Sequence, residues 1–291
     1  MSIRRPWVAI AVIASIGLLS LPAAPAASDA AAGAKAPARH TPDPSDCGDA
    51  NAIYNFSGFS GVCEKFFDIT GSLTYITVTT LALALSPNVD ARSFLLWGLV
   101  IVWAVRLGSF LFGRIHKAGK DDRFDAIKPD TFRFFNAWTI QGLWVTLTGA
   151  TALITITTTT RKPLDAFAVV GALVWAIGFG IEVVADLQKS RFNANPANKG
   201  QFVRDGLWSR SRHPNYFGEI VLWIGVAIIA LPVLQGWQWV ALLSPIFVTL
   251  LLTRITGVPL LEMKAEKKWG GQPDYEAYKA TTPVLIPKLF V

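Results

Sequence analysis

The chain has 291 residues, of which 52% are hydrophobic and only 16% are charged, and its formal net charge is +7. Soluble domains carry about 25% charged residues, so this composition excludes an ordinary soluble globular protein and favours an integral membrane protein. The basic residues flank apolar stretches and follow no nucleic-acid-reading motif, so no nucleic acid is expected as a partner.

The first 64 residues differ from the rest of the chain. Arg4 and Arg5 precede an apolar stretch at residues 8–21 and then a run of small residues, which is the pattern of a secretory signal. An uncleaved first transmembrane helix is the alternative, and the charges of the later loops favour it. Residues 28–46 are rich in Ala and Pro and are predicted to be a disordered linker. Two cysteines follow that could pair only outside the cytoplasm, Cys47 and Cys63.

Six further stretches come close to the roughly 20 apolar residues that a membrane helix needs. They are residues 66–85, 94–112, 134–154, 164–184, 217–234 and 237–253. We therefore predict an all-α, polytopic membrane helix bundle in residues 65–291, with six to seven transmembrane helices in the whole chain. No Rossmann domain is expected, because no G-x-G-x-x-G motif follows a strand. With only three histidines, no metal site is expected either.

The basic residues concentrate on one side of this bundle. Residues 113–133, 185–216 and the tail after Thr253 each carry six or more lysines and arginines, whereas the alternate connections hold only Arg92, Arg161 and Lys162. Basic loops stay in the cytoplasm. The three basic segments are therefore predicted to be cytoplasmic.

Glu182 and Asp186 stand near the end of the fourth stretch, four residues apart, and so share one helix face. Two like charges at the negative end of a helix dipole are locally unfavourable. Something nearby must compensate for them. The candidates are loop arginines, or the hydroxyl or amide groups of a ligand.

A short segment, residues 211–219, gathers polar groups where the second basic loop enters the fifth stretch. Pro214 suits the first turn of a helix. Arg212 would stand just before that helix N-terminus, which itself attracts anions, so a phosphate could be bound there. The alternative is a plain membrane entry with arginine on lipid phosphates. The candidate binding residues of this segment are Arg212, His213, Asn215, Tyr216 and Glu219.

Two other regions add candidates. Arg106 lies inside the second stretch with Arg114 two turns on, and a charge within a span usually faces the bundle interior and marks a site. The tail carries Glu262 and Glu266 and then two tyrosines, and it reads as a short amphipathic helix under the bundle. It would be either an interfacial anchor or a cap over a cofactor that Tyr275 or Tyr278 contacts.

The segments Gly178-Phe179-Gly180-Ile181-Glu182, Ala185-Asp186, Gly206-Leu207-Trp208 and Arg212-His213-Pro214-Asn215-Tyr216-Phe217-Gly218-Glu219 carry a resemblance. From about residue 65 to residue 290 the chain resembles the steroid 5-alpha reductase superfamily, and more closely its bacterial branch of membrane proteins. The Arg-His-Pro piece alone is also similar to one in isoprenylcysteine carboxyl methyltransferases.

The resemblance implies an enzyme of the bacterial inner membrane that binds NADPH from the cytoplasmic side. It would reduce a C=C bond conjugated to a carbonyl in a lipophilic substrate. Hydride would go to the beta carbon while an acid polarises the carbonyl oxygen. The positions that match the family's cofactor contacts are Arg106, Arg114, Asp186, Asn215, Glu219 and Tyr278.

One departure from the family concerns the catalytic proton donor. Trp103 stands where the steroid enzymes have a tyrosine, and an indole cannot donate a proton to an enolate, so the catalytic residue stays unassigned. The alternative function is an S-adenosylmethionine-dependent membrane methyltransferase of the isoprenylcysteine or phospholipid type. Those enzymes use adjacent glutamates after the last span, whereas Glu262 and Glu266 are four apart. A non-enzymatic membrane scaffold is a third possibility.

Overall fold

The computed structural model describes residues 67–118 and 131–288, and every regular element within those ranges is helical. The signal-like segment, Cys47 and Cys63 lie outside the described residues. The α-helices of the described ranges are α1 (Phe67–Leu85), α2 (Ala91–Ala118), α3 (Thr131–Thr157), α4 (Ala166–Ala194), α5 (Pro214–Ala230), α6 (Leu243–Leu250), α7 (Val258–Trp269) and α8 (Pro273–Thr281).

Six helical segments of the described chain are long and apolar enough to cross a membrane: Phe67–Leu85, Ala91–His116, Phe135–Thr157, Ala166–Ala194, Pro214–Val233 and Gly236–Trp269. The predicted all-α membrane fold is therefore confirmed, and the chain has the features of an integral membrane protein. Most of these helices run past the apolar stretches in the sequence. A helix bonds its own backbone internally and does not end where its side chains become polar.

The described residues form two compact units, and α2 and α3 each contribute to both. In the first unit α1 packs on α2 and α3 through small and aromatic side chains. The Gln141 side chain donates to the Phe67 carbonyl at 2.7 Å. The buried Tyr75 meets Trp103 edge to face, with ring centroids 4.9 Å apart.

Helices α4 and α5 of the second unit pack antiparallel and closely, because glycine faces glycine at two levels, Gly171 against Gly225 and Gly178 against Gly218. A Cβ added at Gly178 would lie 2.5 Å from the backbone nitrogen of Leu222 and 2.6 Å from the Gly218 carbonyl oxygen. Membrane helices use small residues in this way, because lipid supplies little hydrophobic force between them and close backbone approach must replace it.

The continuous apolar sequence predicted one regular helix for the last span, and this is wrong. It begins with a 3₁₀ segment, Gly236–Leu242, continues as α6, and then makes a π-helical turn at Leu251–Ile255 before α7. The Thr151 hydroxyl of α3 donates to the Ala241 carbonyl at 2.6 Å. A bend at Thr256 and Gly257 separates the π turn from α7. The tail thus forms two helices, α7 and α8, where one short helix was expected.

Candidate functional site

Pro214 occupies the first turn of α5, as the sequence predicted, and the segment before it is not helical. His213 is the N-cap residue, with φ −138° and ψ 60°, and its side chain does not cap the helix. The proline ring clashes with the preceding backbone and disfavours the helical conformation there, and His213 is accordingly not helical. The imidazole is therefore free to turn away from the helix N-terminus and toward the tail.

The C-terminal segment clamps this loop through the backbone. Arg212 donates its N–H to the Pro283 carbonyl at 2.9 Å, and Lys288 donates its N–H to the Arg210 carbonyl at 3.0 Å. The Ser211 hydroxyl, fully buried, donates to the Leu285 carbonyl at 2.7 Å. The loop that carries Arg212 and His213 is thus fixed from both sides and does not depend on a ligand for its shape.

Glu262 of α7 joins the two side chains of this loop. Its Oε2 lies 2.7 Å from Arg212 Nη1, and its Oε1 lies 2.7 Å from His213 Nε2. The ring of Tyr216 stacks on the His213 imidazole, with centroids 5.8 Å apart. Charge-assisted contacts this short hold a carboxylate in one orientation. Each carboxylate oxygen still keeps acceptor capacity for another donor.

This cluster borders a cavity of about 250 Å³. The cavity lies wholly within the second unit, between the end of α4, the loop that follows it, and α7 and α8. Its walls are formed by Lys189, Asn193, Gln201, Phe202, Val203, Trp208, Arg212, His213, Leu261, Glu262, Lys264, Ala265, Lys268, Trp269, Tyr275 and Tyr278.

Five of the sixteen residues that line the cavity are Phe, Trp or Tyr, and hydrogen bonds hold two of them in place. Trp208 Nε1 donates to the Ala185 carbonyl at 3.0 Å, and Tyr278 donates its hydroxyl to the Trp208 carbonyl at 2.7 Å. Burial raises the pKa of the Tyr278 phenol, so this donor keeps its proton. Phe202 packs between Tyr275 and Tyr278, with ring centroids 5.2 and 5.3 Å away.

Cations surround the cavity mouth. Lys189 Nζ lies 4.7 Å from the ring centroid of Trp208, and Lys268 Nζ lies 4.5 Å from that of Trp269. Both contacts are cation–π interactions. Lys264 lines the same mouth. Glu262 is the single carboxylate among the described lining residues.

The structure divides the predicted site residues of the second unit into two groups. Arg212, His213 and Tyr278 line the cavity, as does Tyr275, which the sequence had offered as an alternative to Tyr278. The other group does not line it. Glu182, Asp186 and Glu219 are buried on α4 and α5, and Gly218 comes so close to Glu182 that a Cβ there would lie 2.7 Å from its backbone nitrogen. Asn215 lies one turn before Glu219 and is half-buried.

Arg106 and Arg114 belong to the first unit. Both are on α2, where the Arg106 guanidinium lies 5.2 Å from the Phe110 ring centroid and Arg114 is exposed. Trp103, at the position of the missing tyrosine, is buried against Tyr75.

Sequence reasoning missed most of the cavity wall. Trp208 lay inside one of the family motifs and Glu262 lay in the tail. No local pattern linked Glu262 to the loop before α5, because Glu262 is 49 residues from His213 along the chain. The one available signal was the spacing of Glu262 and Glu266. In the structure Glu266 takes another partner, Lys279 Nζ at 2.7 Å, so Glu262 alone of the two reaches the cavity.

Comparison with known proteins gives one family and one relative. A 66-residue stretch is 33% identical to a protein of Ustilaginoidea virens named "Probable O-methyltransferase ustE", and the match covers 23% of each chain. No solved structure matches the chain. Residues 60–282 match the model of the family described as "Protein of unknown function (DUF1295)", which is most of the membrane domain and all of the cavity. The chain therefore belongs to the DUF1295 family of membrane proteins.

Proposed function

We propose that the cavity binds S-adenosylmethionine and that the protein methylates an oxygen of a lipophilic acceptor in the membrane. The observation that carries the proposal is the Arg212–Glu262–His213 cluster at an aromatic cavity. Isoprenylcysteine carboxyl methyltransferases have a similar Arg-His-Pro piece and use glutamates after the last span. Here the two features meet at 2.7 Å, although the second glutamate is not adjacent.

The cavity wall suits such a cofactor. Aromatic faces attract cations, and the indoles of Trp208 and Trp269 each contact a lysine ammonium. A sulfonium could be bound by such a face in place of the lysine. The remaining acceptor capacity of Glu262 suits ribose hydroxyls or an ammonium group. S-adenosylmethionine is also the smaller of the two cofactors considered, and a cavity of about 250 Å³ is small for a ligand site.

The protein's own residues supply binding and orientation. The cofactor, when bound, supplies an electrophilic methyl group, so that a C–O bond forms as the S–C bond breaks. Glu262 accepts the hydrogen bond from His213 Nε2, which in the neutral imidazole leaves Nδ1 as the acceptor. The short match to the "Probable O-methyltransferase" supports the same reaction class.

A cofactor titration tests the proposal. Purified protein in detergent is titrated with S-adenosylmethionine and with NADPH, for the natural chain and for Glu262→Gln and Glu266→Gln. We expect S-adenosylmethionine to bind and Glu262→Gln to raise its Kd about tenfold or more, since a hydrogen bond to a charged group contributes about 1.5–3 kcal/mol. Glu266→Gln is the matched control, one turn along the same helix and outside the cavity. Binding of NADPH alone would overturn the assignment.

A second candidate function is the NADPH-dependent reductase that the sequence resemblance implied. One observation favours it: Glu182, Asp186 and Glu219 are buried on α4 and α5, away from the cavity lining, and methyl transfer in the cavity gives them no role. Such buried acids could accept hydrogen bonds from a nicotinamide nucleotide. In this function Asn215 and Glu219 would contact the carboxamide and the ribose.

The reductase is tested with a different set of variants. It requires that Asp186→Ala, Asn215→Ala and Glu219→Ala each raise the Kd for NADPH by roughly tenfold. Asp205→Ala is the control, because Asp205 is an exposed acid whose side chain caps nothing. Unchanged NADPH affinity in all three variants, with normal thermal stability, would leave the methyltransferase as the sole candidate enzyme.

A further inference from the structure

Helix α7 has an apolar outer strip that the cavity does not use. Leu260 is 44% exposed and Met263 is 62% exposed, and neither lines the cavity. Lys267, one turn after Met263, is also exposed. With successive residues about 100° apart, these three side chains share one face of the helix. The strip thus begins apolar and ends basic.

The cavity-lining residues of α7 occupy the opposite side, centred on Leu261 and Ala265. Lys264 and Lys268 stand at the boundary, since about 100° per residue places both between the outer strip and the cavity-lining side. Both lysines are exposed and both line the cavity mouth. A molecule lying on the outer strip would therefore place a polar end against these two ammonium groups.

The position of α7 in the chain puts this strip at a membrane surface. The sixth apolar segment, Gly236–Trp269, includes α7, which follows the π turn and a bend at Thr256 and Gly257. Its apolar residues give way to Lys264, Lys267 and Lys268 within the last turns of α7. Aliphatic side chains followed by lysines suit the boundary between acyl chains and headgroups.

The charge around the cavity mouth favours a lipid with a negatively charged headgroup. Glu262 is the single lining carboxylate in the described chain, and Arg212 and His213 both contact it. No described carboxylate forms an ion pair with Lys264 or Lys268. The mouth is thus electropositive, and negative headgroups attract basic segments at the membrane surface.

We propose that the outer face of α7 is a docking site for an anionic phospholipid, with its acyl chain along Leu260 and Met263 and its phosphate between Lys264 and Lys268. The site feeds the cavity mouth from the bilayer. It does not depend on which cofactor the cavity takes, because lipid binding is measured without any cofactor. The occupant is a bilayer lipid and not a free phosphate, since the apolar strip has no role in holding a small anion.

The test compares lipids on the full-length protein. The protein in nonionic detergent is titrated with phosphatidylglycerol and with phosphatidylcholine of the same chains, and bound lipid is counted by native mass spectrometry. We expect phosphatidylglycerol to bind at least about tenfold more tightly, since each lysine near an anionic surface contributes roughly a factor of five. The double variant Lys264→Gln/Lys268→Gln should bind the two lipids within about twofold of each other.

Two variants and one competitor sharpen this result. Lys162→Gln/Lys199→Gln removes the same charge outside the cavity and should keep the preference. Met263→Glu should weaken both lipids, because it places a charge on the apolar strip. Glycerol phosphate should not displace the lipid. If the Lys264/Lys268 variant does not fold, rising salt on the natural protein should abolish the preference instead. A preference that survives the double variant or high salt, an equal loss in the control, or displacement by glycerol phosphate would overturn the proposal.

Discussion

Helix α5 has an arginine site at each end, and the two differ in what surrounds the guanidinium. At the far end Arg92 is 1% exposed, and it donates to the carbonyls of Ile229 and Pro163. It also forms an ion pair with Asp165, the N-cap of α4, at 3.1 Å. At the near end Arg212 contacts one described carboxylate, Glu262, and lines a cavity.

The difference separates a structural arginine from a binding one. Backbone carbonyls of two segments converge on Arg92, so its charge joins the ends of helices and leaves no room for a ligand. Arg161 nearby is held in the same way, by Ser93 Oγ at 2.9 Å and the Ile156 carbonyl at 3.0 Å. Arg212, by contrast, lines a cavity. Its buried Nε, like those of Arg92 and Arg161, has no hydrogen-bond partner among the described residues. An arginine that keeps donor capacity beside a cavity is the one suited to recognise a ligand.

The first prediction is all-or-none and concerns which end faces the cytoplasm. We propose that the Arg212 end is cytoplasmic, because the basic segment 185–216 and the basic tail lie there, whereas two of the three cations at the other end, Arg92 and Arg161, are bound internally. A reporter that is active only in the cytoplasm, fused after the last residue, should be active. The same reporter fused within the connection around Lys162 should be silent. Activity of a periplasm-only reporter at the C-terminus would reverse the assignment.

The next largest effect is expected at the structural end. Arg92→Gln should lower the stability of the protein by roughly 3–6 kcal/mol, because two hydrogen bonds from a buried charged donor are lost at about 1.5–3 kcal/mol each. Thermal unfolding in detergent measures it. Lys162→Gln is the control, since Lys162 is exposed in the same region. An Arg92 variant as stable as the control would mean that this cluster does not hold the helix ends together.

The close packing of α4 on α5 predicts a smaller effect on stability, with opposite signs at Gly178 and Gly180. Gly178→Ala should destabilise by about 1–3 kcal/mol, the usual cost of overpacking, because backbone atoms of α5 cannot yield to the new methyl group. Gly180→Ala should be neutral or stabilising by up to about 1 kcal/mol, since no atom lies within 4 Å of that Cβ and alanine is the better helix former. Equal thermal stability of the two variants would remove the close contact as the reason for the glycines.

These glycines show which features of the fold can be predicted from the sequence. The apolar stretches located all six spans of the described chain and placed each start within about three residues, but the fourth and sixth segments end ten and sixteen residues later than predicted. Pro214 located the start of α5, because both signals are local. The motif glycines Gly178 and Gly218 were visible, but their pairing across two helices was not. Only the structure shows that one motif glycine, Gly180, faces open space while its neighbour touches a helix backbone.

The candidate site was harder to foresee for the same physical reason. Arg212, His213 and Tyr278 were predicted to bind a cofactor; they line the cavity, and cofactor binding by them stays a prediction. Their partner Glu262 depends on the direction in which α7 leaves the π turn, and hydropathy carries no information about that direction. Arg92 and Arg161 were counted as loop charges, yet their hydrogen bonds to carbonyls make them part of the packing. Whether the buried acids of α4 and α5 bind a ligand stays a prediction.

Mutation of Arg212, at the cavity end of α5, should change the affinity for the cofactor more than the stability of the protein. Arg212→Gln keeps the backbone hydrogen bond to Pro283 and removes the contact that orients Glu262. We expect the Kd for S-adenosylmethionine to rise about tenfold, as the loss of one charged hydrogen bond implies, while the melting temperature falls far less than in Arg92→Gln. Titration and thermal unfolding of the same two preparations give the comparison. A loss of stability equal to that of Arg92→Gln would make both arginines structural.

The smallest effect concerns the wall of the cavity. Tyr278→Phe removes one hydrogen bond, to the Trp208 carbonyl at 2.7 Å, and should cost about 0.5–1.5 kcal/mol of stability with a modest loss of cofactor affinity. Tyr275→Phe is the matched control: it lies on the same helix and in the same cavity, and its hydroxyl has no hydrogen bond within the described part of the chain.

Burial raises the pKa of Tyr278 in the folded protein. Its contribution is therefore complete below the ordinary tyrosine pKa of about 10 and is lost only as the pH rises beyond that value. The difference in melting temperature between the two variants should accordingly be constant from about pH 6 to 9, where neither folded nor unfolded tyrosine ionises. A difference that vanishes within this range would show that Tyr278 does not act through its proton, and the Trp208 wall would then have to be held by ring packing alone.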